Sequence, residues 1–317
     1  MEKLVISALS LMFMFLLLEN IPPAKADLDC GNQTCGSIRI PYPFGLAPEC
    51  YKDEWFKIEC NKSFAPPRAF IPSIKAEVLE FSADMGSITV KGPIKSSGNC
   101  SSARKRGRSS SSISTLLNLT GSPFVLSFQN RFIAVGCNTL GTVSEDSALR
   151  ISCKSTCRKE RVASDWDYYR FCEGKNCCMA PVQTDLQVVN PSVQSLNSSY
   201  KGSDEEEEEE CRLAFLVDEL WLVKTVEDSG KLQEMGFVPL KLLWVSNFSY
   251  DTFRRTTGCE NSNVLNSSIV KAAGCRCIFN YEGSPYNPQG CTGLLWGLCL
   301  SAFACVPEWD VLLHIAP

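Results

Sequence analysis

Residues 30–50 read Cys-Gly-Asn-Gln-Thr-Cys-Gly-Ser-Ile-Arg-Ile-Pro-Tyr-Pro-Phe-Gly-Leu-Ala-Pro-Glu-Cys. Cysteine, glycine and proline punctuate the stretch, and its one β-type run is Ile38-Arg39-Ile40. Pro41 and Pro43 flank Tyr42, which imposes an extended or turning backbone. Gly45 then permits a positive φ. Such a segment reads as loop-rich β structure held by cross-links rather than as helix.

The same reading extends outward. Ala76 to Phe81, Ser87 to Val90 and Phe124 to Val135 are β-branched or aromatic runs bounded by Gly, Pro, Asn and Ser, which predicts short strands. Cys211 to Lys224 is apolar apart from Asp218 and Glu219 and reads as strand or short helix. Val238 to Val245 reads as a strand whose start Pro239 demotes to an edge. The charge balance shifts from slightly basic before residue 150 to acidic after it, which suggests a boundary there.

The chain has 317 residues, 18 cysteines and a net charge of −4. That charge argues against a nucleic-acid binder, whose domains are strongly basic. Lys3, an apolar run from Leu4 to Leu18 and Ala24-Lys25-Ala26 predict a secretory leader, residues 1–26, cut after Ala26. Every cysteine lies beyond that point. An even number in a secreted chain predicts disulfides, among Cys30, Cys35, Cys50, Cys60, Cys100, Cys137, Cys153, Cys157, Cys172, Cys177, Cys178, Cys211, Cys259, Cys275, Cys277 and Cys291. Adjacent Cys177 and Cys178 should bridge to different partners, because a vicinal ring is strained. Zinc fits poorly: no Cys-x-x-Cys occurs and the single histidine is His314. No metal or cofactor is expected. Asn32, Asn61, Asn99, Asn118, Asn197, Asn247 and Asn266 each open an Asn-x-Ser/Thr sequon, so a glycoprotein is predicted.

Ser96 to Ser114 is serine-rich and carries Arg104, Lys105, Arg106 and Arg108, and Ser203 to Glu210 is acidic. Neither can bury much surface, so both read as surface loops.

These residues resemble a known family. Cys30-Gly31, Cys35-Gly36, Ile40 to Gly45 and Cys50 are similar to the opening of the galacturonan-binding domain of plant wall-associated receptor kinases. Ser122-Pro123-Phe124, Asn130 to Cys137, Gly174 with Cys177-Cys178, and Cys211 to Val217 continue the likeness. Gly274-Cys275-Arg276-Cys277, Tyr281 to Tyr286 and Gly290-Cys291 look like the last half of an EGF-like module. The resemblance implies a mainly β, disulfide-rich extracellular fold with two cysteine-rich domains, residues 27–150 and 151–274. A partial EGF-like segment, 275–291, and an atypical tail, 292–317, would follow. It also implies that Cys277 pairs with Cys291 and Cys275 pairs upstream. Pectin or oligogalacturonide is the implied partner, with other receptor ectodomains as a second possibility. The implied location is the cell wall, with membrane anchorage only for a truncated receptor product.

Galacturonan is a polyanion, so its recognition needs cations, hydrogen-bond donors and aromatic faces. Arginine suits carboxylates because its planar fork engages both oxygens. The candidates are Arg104, Lys105, Arg106 and Arg108 with Lys91 and Lys95, or Arg39, Lys52, Lys57 and Arg131 nearer the motifs. Tyr42 and Phe44 could stack on sugar rings or plug a small core. Trp55, Trp166, Trp221 and Trp244 read as core or interface.

Catalysis finds little footing. No kinase motif is present. Asp165 and Asp167 beside Trp166 and Tyr168 only superficially suggest the two carboxylates of a glycosidase. A serine hydrolase needs a histidine base, and His314 lies outside the matched region. The apolar stretch Leu294 to Val306 is too short to span a bilayer, and no helix beyond the leader is expected to do so. Cys299 and Cys305 in that tail either pair or remain stray.

Overall fold

The computed structural model describes residues 30, 33–98, 100, 116–157, 172, 176–196, 210–225, 236–266, 268–286 and 290–293. The leader, Arg104 to Arg108, Asp165 to Tyr168, the acidic run 203–209 and the tail from 294 on lie outside the described residues.

The first half holds β1 (Thr34–Cys35), β2 (Ile38–Arg39), β3 (Glu59–Asn61), β4 (Arg68–Ile71), β5 (Ala76–Ser82), β6 (Ser87–Gly92), β7 (Ile94–Ser97), β8 (Leu117–Asn118), β9 (Phe124–Leu126), β10 (Asn130–Val135), β11 (Thr139–Glu145) and β12 (Ala148–Lys154). The second half holds β13 (Cys177–Pro181), β14 (Val188–Val189), β15 (Pro191–Ser195), β16 (Arg212–Asp218), α1 (Glu219–Thr225), β17 (Val238–Ser249), α2 (Tyr250–Thr256), β18 (Thr257–Asn266), β19 (Ile269–Cys277), β20 (Tyr281–Gly283) and β21 (Cys291–Gly293). The fold is mainly β and disulfide-rich, with eight disulfides among the described residues.

The largest sheet runs β18-β19-β17-β6-β5-β4-β3, with β9 also on β17. A second runs β13-β10-β16-β7 and a third β12-β11-β15. Residue 150 lies inside β12, and strands from either side of it share sheets: β17 pairs β6, and β16 pairs β7 and β10.

β16 shows why the apolar run from Cys211 resists a simple reading. All seven of its residues are buried. Ala214 and Leu216 face the main core, while Leu213, Phe215 and Val217 face a smaller one. A strand covered on both faces loses polar alternation and reads as continuous apolar sequence. Asp218 then ends the strand, its carboxylate accepting from the Leu220 N–H at 3.1 Å at the start of α1. The run is therefore strand followed by helix.

β17 has the expected edge at its start, where β6 alone pairs with it, and gains neighbours on both sides further along. Pro239 is tolerated because it pairs only with Lys91 of β6; β9 joins from Leu242 onward. In that gap the buried Asn130 side chain acts as a strand partner. Its Nδ2 donates to the Lys241 carbonyl at 2.7 Å and its Oδ1 accepts from the Lys241 N–H at 3.0 Å. One amide thereby ties the second sheet to the first.

Gly45 does correct an expectation. It is not among the residues with positive φ. It is small because a Cβ there would lie 2.6 Å from the Cys50 carbonyl. Gly36 is the residue that turns left-handed, at φ 60°, between β1 and β2.

The cysteine pairing mixes short-range bridges with one, Cys100–Cys211, that spans 111 residues. Cys30 bridges Cys50, and Cys35 bridges Cys60. Cys177 and Cys178 part ways, to Cys172 and Cys153. Cys137 joins Cys157, and Cys100 joins Cys211. Cys275 joins Cys259, and Cys277 joins Cys291.

Candidate functional site

Phe44 is the hub of the core. It is 1% exposed and lies 5.2 Å from Phe56, 4.8 Å from Phe81 and 5.2 Å from Trp244. It therefore cannot stack on a ligand; edge-on and tilted ring packing explains its place in the motif. Trp244 in turn meets Tyr286 at 5.0 Å, so the N-terminal motif and the segment at Tyr286 join in one aromatic cluster. The Tyr286 hydroxyl accepts from the Cys275 N–H at 2.8 Å, and burial pushes its pKa up.

Lys91 is also committed elsewhere. Its ammonium pairs with Glu77 at 2.7 Å and lies 4.2 Å from the Phe237 ring centroid. Arg131 pairs with Glu219 at 2.8 Å and donates to the Phe128 carbonyl. Lys95 and Arg39 are exposed on β7 and β2. Tyr42 is 40% exposed. Arg104, Lys105, Arg106 and Arg108 lie outside the described residues. None of Arg39, Tyr42, Lys91, Lys95 and Arg131 lines either the groove at Lys57 or the groove at Trp55.

Two surface grooves stand out. The larger, about 700 Å³, lies over β3 and β4 and includes Lys57, Glu59, Asn61, Phe70 and Lys75. Its Lys57 is paired with Glu59 at 3.5 Å, and Lys75 is its second cation.

The second, about 480 Å³, is assembled from distant stretches: Lys52, Asp53, Trp55 and Phe56, then Gly121 to Pro123 and Val125, Gln187, Val245 to Asn247, and Lys271. Its volume falls within the usual range of about 300–1,000 Å³ for small-molecule sites. Local sequence explains each wall. Asp53 accepts from the Trp55 N–H at 3.0 Å and caps the short 3-10 turn Glu54–Phe56, which presents the half-buried indole. Glu145 accepts from the N–H groups of Gln187 and Val188 at 2.7 and 2.9 Å, fixing the loop before β14. Asn247 and Lys271 stand opposite each other in the β17–β19 ladder. Strand alternation sends both outward while Trp244 and Phe248 point inward.

Among the described residues, neither Lys52 nor Lys271 forms an ion pair. Lys52 lies 5.7 Å from the Phe56 ring centroid. Asp53 is the sole carboxylate among the groove's described lining residues, and its role as a cap occupies it. Arrayed here are two available ammonium groups, an indole face, and the amides of Asn247 and Gln187. Such a set suits an anionic, hydroxyl-rich ligand.

The sequence offers Lys52 as an alternative cation, reads Trp55 as core or interface, and does not single out Gln187 or Lys271. The alternation Ile269-Val270-Lys271-Ala272 was the available signal for an outward lysine.

Among sequon residues, Asn61, Asn118 and Asn247 are exposed, and Asn266 ends β18. Asn32, Asn99 and Asn197 lie outside the described residues. No helix among the described residues is long and apolar enough to cross a membrane.

Comparison with known proteins finds two family models. Residues 30–92 match the model described as wall-associated receptor kinase galacturonan-binding, and residues 169–253 match wall-associated kinase. The chain is 28% identical to wall-associated receptor kinase-like 10 of Arabidopsis thaliana over 82% of this chain and 38% of that protein. It is 27% identical to wall-associated receptor kinase-like 6 of the same plant, over 82% and 43%. It is 29% identical to wall-associated receptor kinase-like 1, over 82% and 38%. The chain thus spans about 38% of the length of the first of these curated relatives. No solved structure matches the chain.

Proposed function

We propose that this chain, which carries the paired ectodomain segments of the wall-associated receptor kinases, binds uronate-rich polysaccharide of the plant cell wall through the groove at Trp55. The observation that carries the reading is the pair of ammonium groups, Lys52 and Lys271, without ion-pair partners among the described residues and set beside an indole face. The chain is acidic overall, at −4, so attraction for a polyanion has to be local, and this groove supplies it. The larger groove lies wholly within the segment that matches the galacturonan-binding model. Its Lys57 is paired with Glu59, which leaves Lys75 as its one lysine without an ion pair among the described residues and favours the Trp55 groove.

The role is recognition without catalysis. Retaining and inverting glycosidases alike deploy two carboxylates across the bond they cut, and the groove's described lining offers only Asp53. The eight disulfides among the described residues suit an oxidising, extracellular setting.

The test is retention on immobilised polygalacturonate at rising salt. Saturable, salt-sensitive retention that weakens in Lys52→Gln and Lys271→Gln supports the reading. Retention lost instead in Lys57→Gln and Lys75→Gln moves the site to the larger groove. No retention even at low salt favours a protein partner, such as another receptor ectodomain.

A further inference from the structure

Asn247 lines the Trp55 groove and also begins the sequon Asn247-Phe248-Ser249. Its side chain is exposed and, among the described residues, makes no hydrogen bond that would hold it down. Phe248, the middle residue, packs inward against Tyr286 at 5.8 Å, which fixes the strand's alternation and turns Asn247 outward. Across the ladder stands Lys271, one of the two cations just assigned to the ligand. A glycan is bulky and hydrophilic and stays on the surface. Anchored at Asn247 it starts within the groove wall rather than at its rim.

We infer that Asn247 is an N-glycosylation site whose glycan covers the Trp55 groove and lowers its affinity for uronate chains. This rests on the groove reading above. The chain would then exist in two forms, one with the groove open and one with it covered, set by occupancy at a single sequon. The glycan's own hydroxyls would compete for the groove's amides, and its bulk would exclude a second saccharide. The sequon at Asn61 is the natural control. Asn61 lines the other groove, so its glycan should leave the Trp55 groove untouched.

The experiment uses the full chain secreted from a eukaryotic host. Intact glycopeptide mass spectrometry reads occupancy at Asn247, and calorimetry reads affinity for a size-defined oligogalacturonate. Ser249→Ala removes the sequon and keeps Asn247. Ser249 makes no side-chain cap bond to α2, so the fold should tolerate the change. The expected result is severalfold tighter binding by Ser249→Ala than by the glycosylated chain, with Ser63→Ala, which removes the Asn61 sequon, unchanged. An unoccupied Asn247, or equal affinities with Asn247 occupied, overturns the inference. Trp55→Ala in the Ser249→Ala background separates the two failures. If it weakens binding, the groove stands and only the cover is lost. If it changes nothing, the groove assignment itself fails.

Discussion

On the inner side of β17, Trp244 and Phe248 meet Phe44 and Tyr286; on its outer side, Asn247 faces Lys271 across the ladder. The two regions are separated by one sheet and obey different rules. Inside, each ring is fixed by several others, so volume and shape are specified. Outside, a polar side chain needs only to reach solvent and a ligand, so many residue types would satisfy the fold. Stability should therefore reside on one face and binding on the other.

The largest expected effect breaks or keeps that division directly. Phe44→Ala and Trp244→Ala should each cost about 3–5 kcal/mol, the usual range for emptying a buried aromatic site. Asn247→Ala should stay within about 0.5 kcal/mol, as exposed positions do. Denaturant unfolding of the three variants is the measurement. A comparable loss at Asn247 would end the contrast. Trp244→Phe sharpens it: the indole N–H has no partner among the described residues, so this change should cost much less than Trp244→Ala.

The next effect tests how the two sheets are joined. Asn130→Ala leaves the N–H and carbonyl of Lys241 without their side-chain partner. Leaving a buried polar group unsatisfied costs about 1–3 kcal/mol. Unfolding should stay cooperative but shift to lower denaturant by that amount. A neutral outcome would mean that β17 finds other partners there.

How much of this was legible in the sequence divides along the same line. The strands, the oxidised cysteines and the different partners of Cys177 and Cys178 could be read because runs, counts and steric rules are local. The likeness carried by Ile40 to Gly45 pointed to the first matched segment. What could not be read was assembly. Phe44 is open in sequence to either a ligand face or a core plug, and the convergence of Phe56, Phe81 and Trp244 from three other stretches decides for core. Lys91 looks like a free cation until Glu77, on the neighbouring β5, is placed beside it. The groove escaped for the converse reason. Lys52, Gln187 and Lys271 are ordinary residues far apart in sequence, and nothing in their local pattern marks them as neighbours.

On the outer face the effects are smaller and depend on salt. Lys52→Gln and Lys271→Gln together should weaken oligogalacturonate binding about tenfold at low ionic strength, a loss of ~1.4 kcal/mol. At physiological salt, where screening acts beyond about 8 Å, the gap should narrow. Calorimetry at two salt concentrations checks it. Melting temperatures should stay close to that of the native chain. A large fall in stability with unchanged affinity would reverse the assignment of the two faces.

Glu260 blurs the boundary between these regions and gives the smallest, most directional test. It lies on β18, and Ser127 Oγ donates to its Oε2 at 3.0 Å. Burial raises its pKa above the ordinary carboxylate value, with the Ser127 bond and the charge of Lys241 opposing and Asp218 adding to the rise. A carboxyl raised in the folded state holds its proton more tightly there than in the unfolded chain. Its contribution to stability is therefore full below the ordinary carboxylate pKa and is lost as pH climbs through the folded value. Glu260→Gln cannot ionise and keeps an acceptor for Ser127. Its melting temperature relative to the native chain should thus rise from mildly acid to neutral pH. Thermal unfolding of both proteins across that window reads the difference. A difference that falls with pH instead would mean that Lys241 and Ser127 outweigh burial, and that Glu260 belongs with the outer, solvated face.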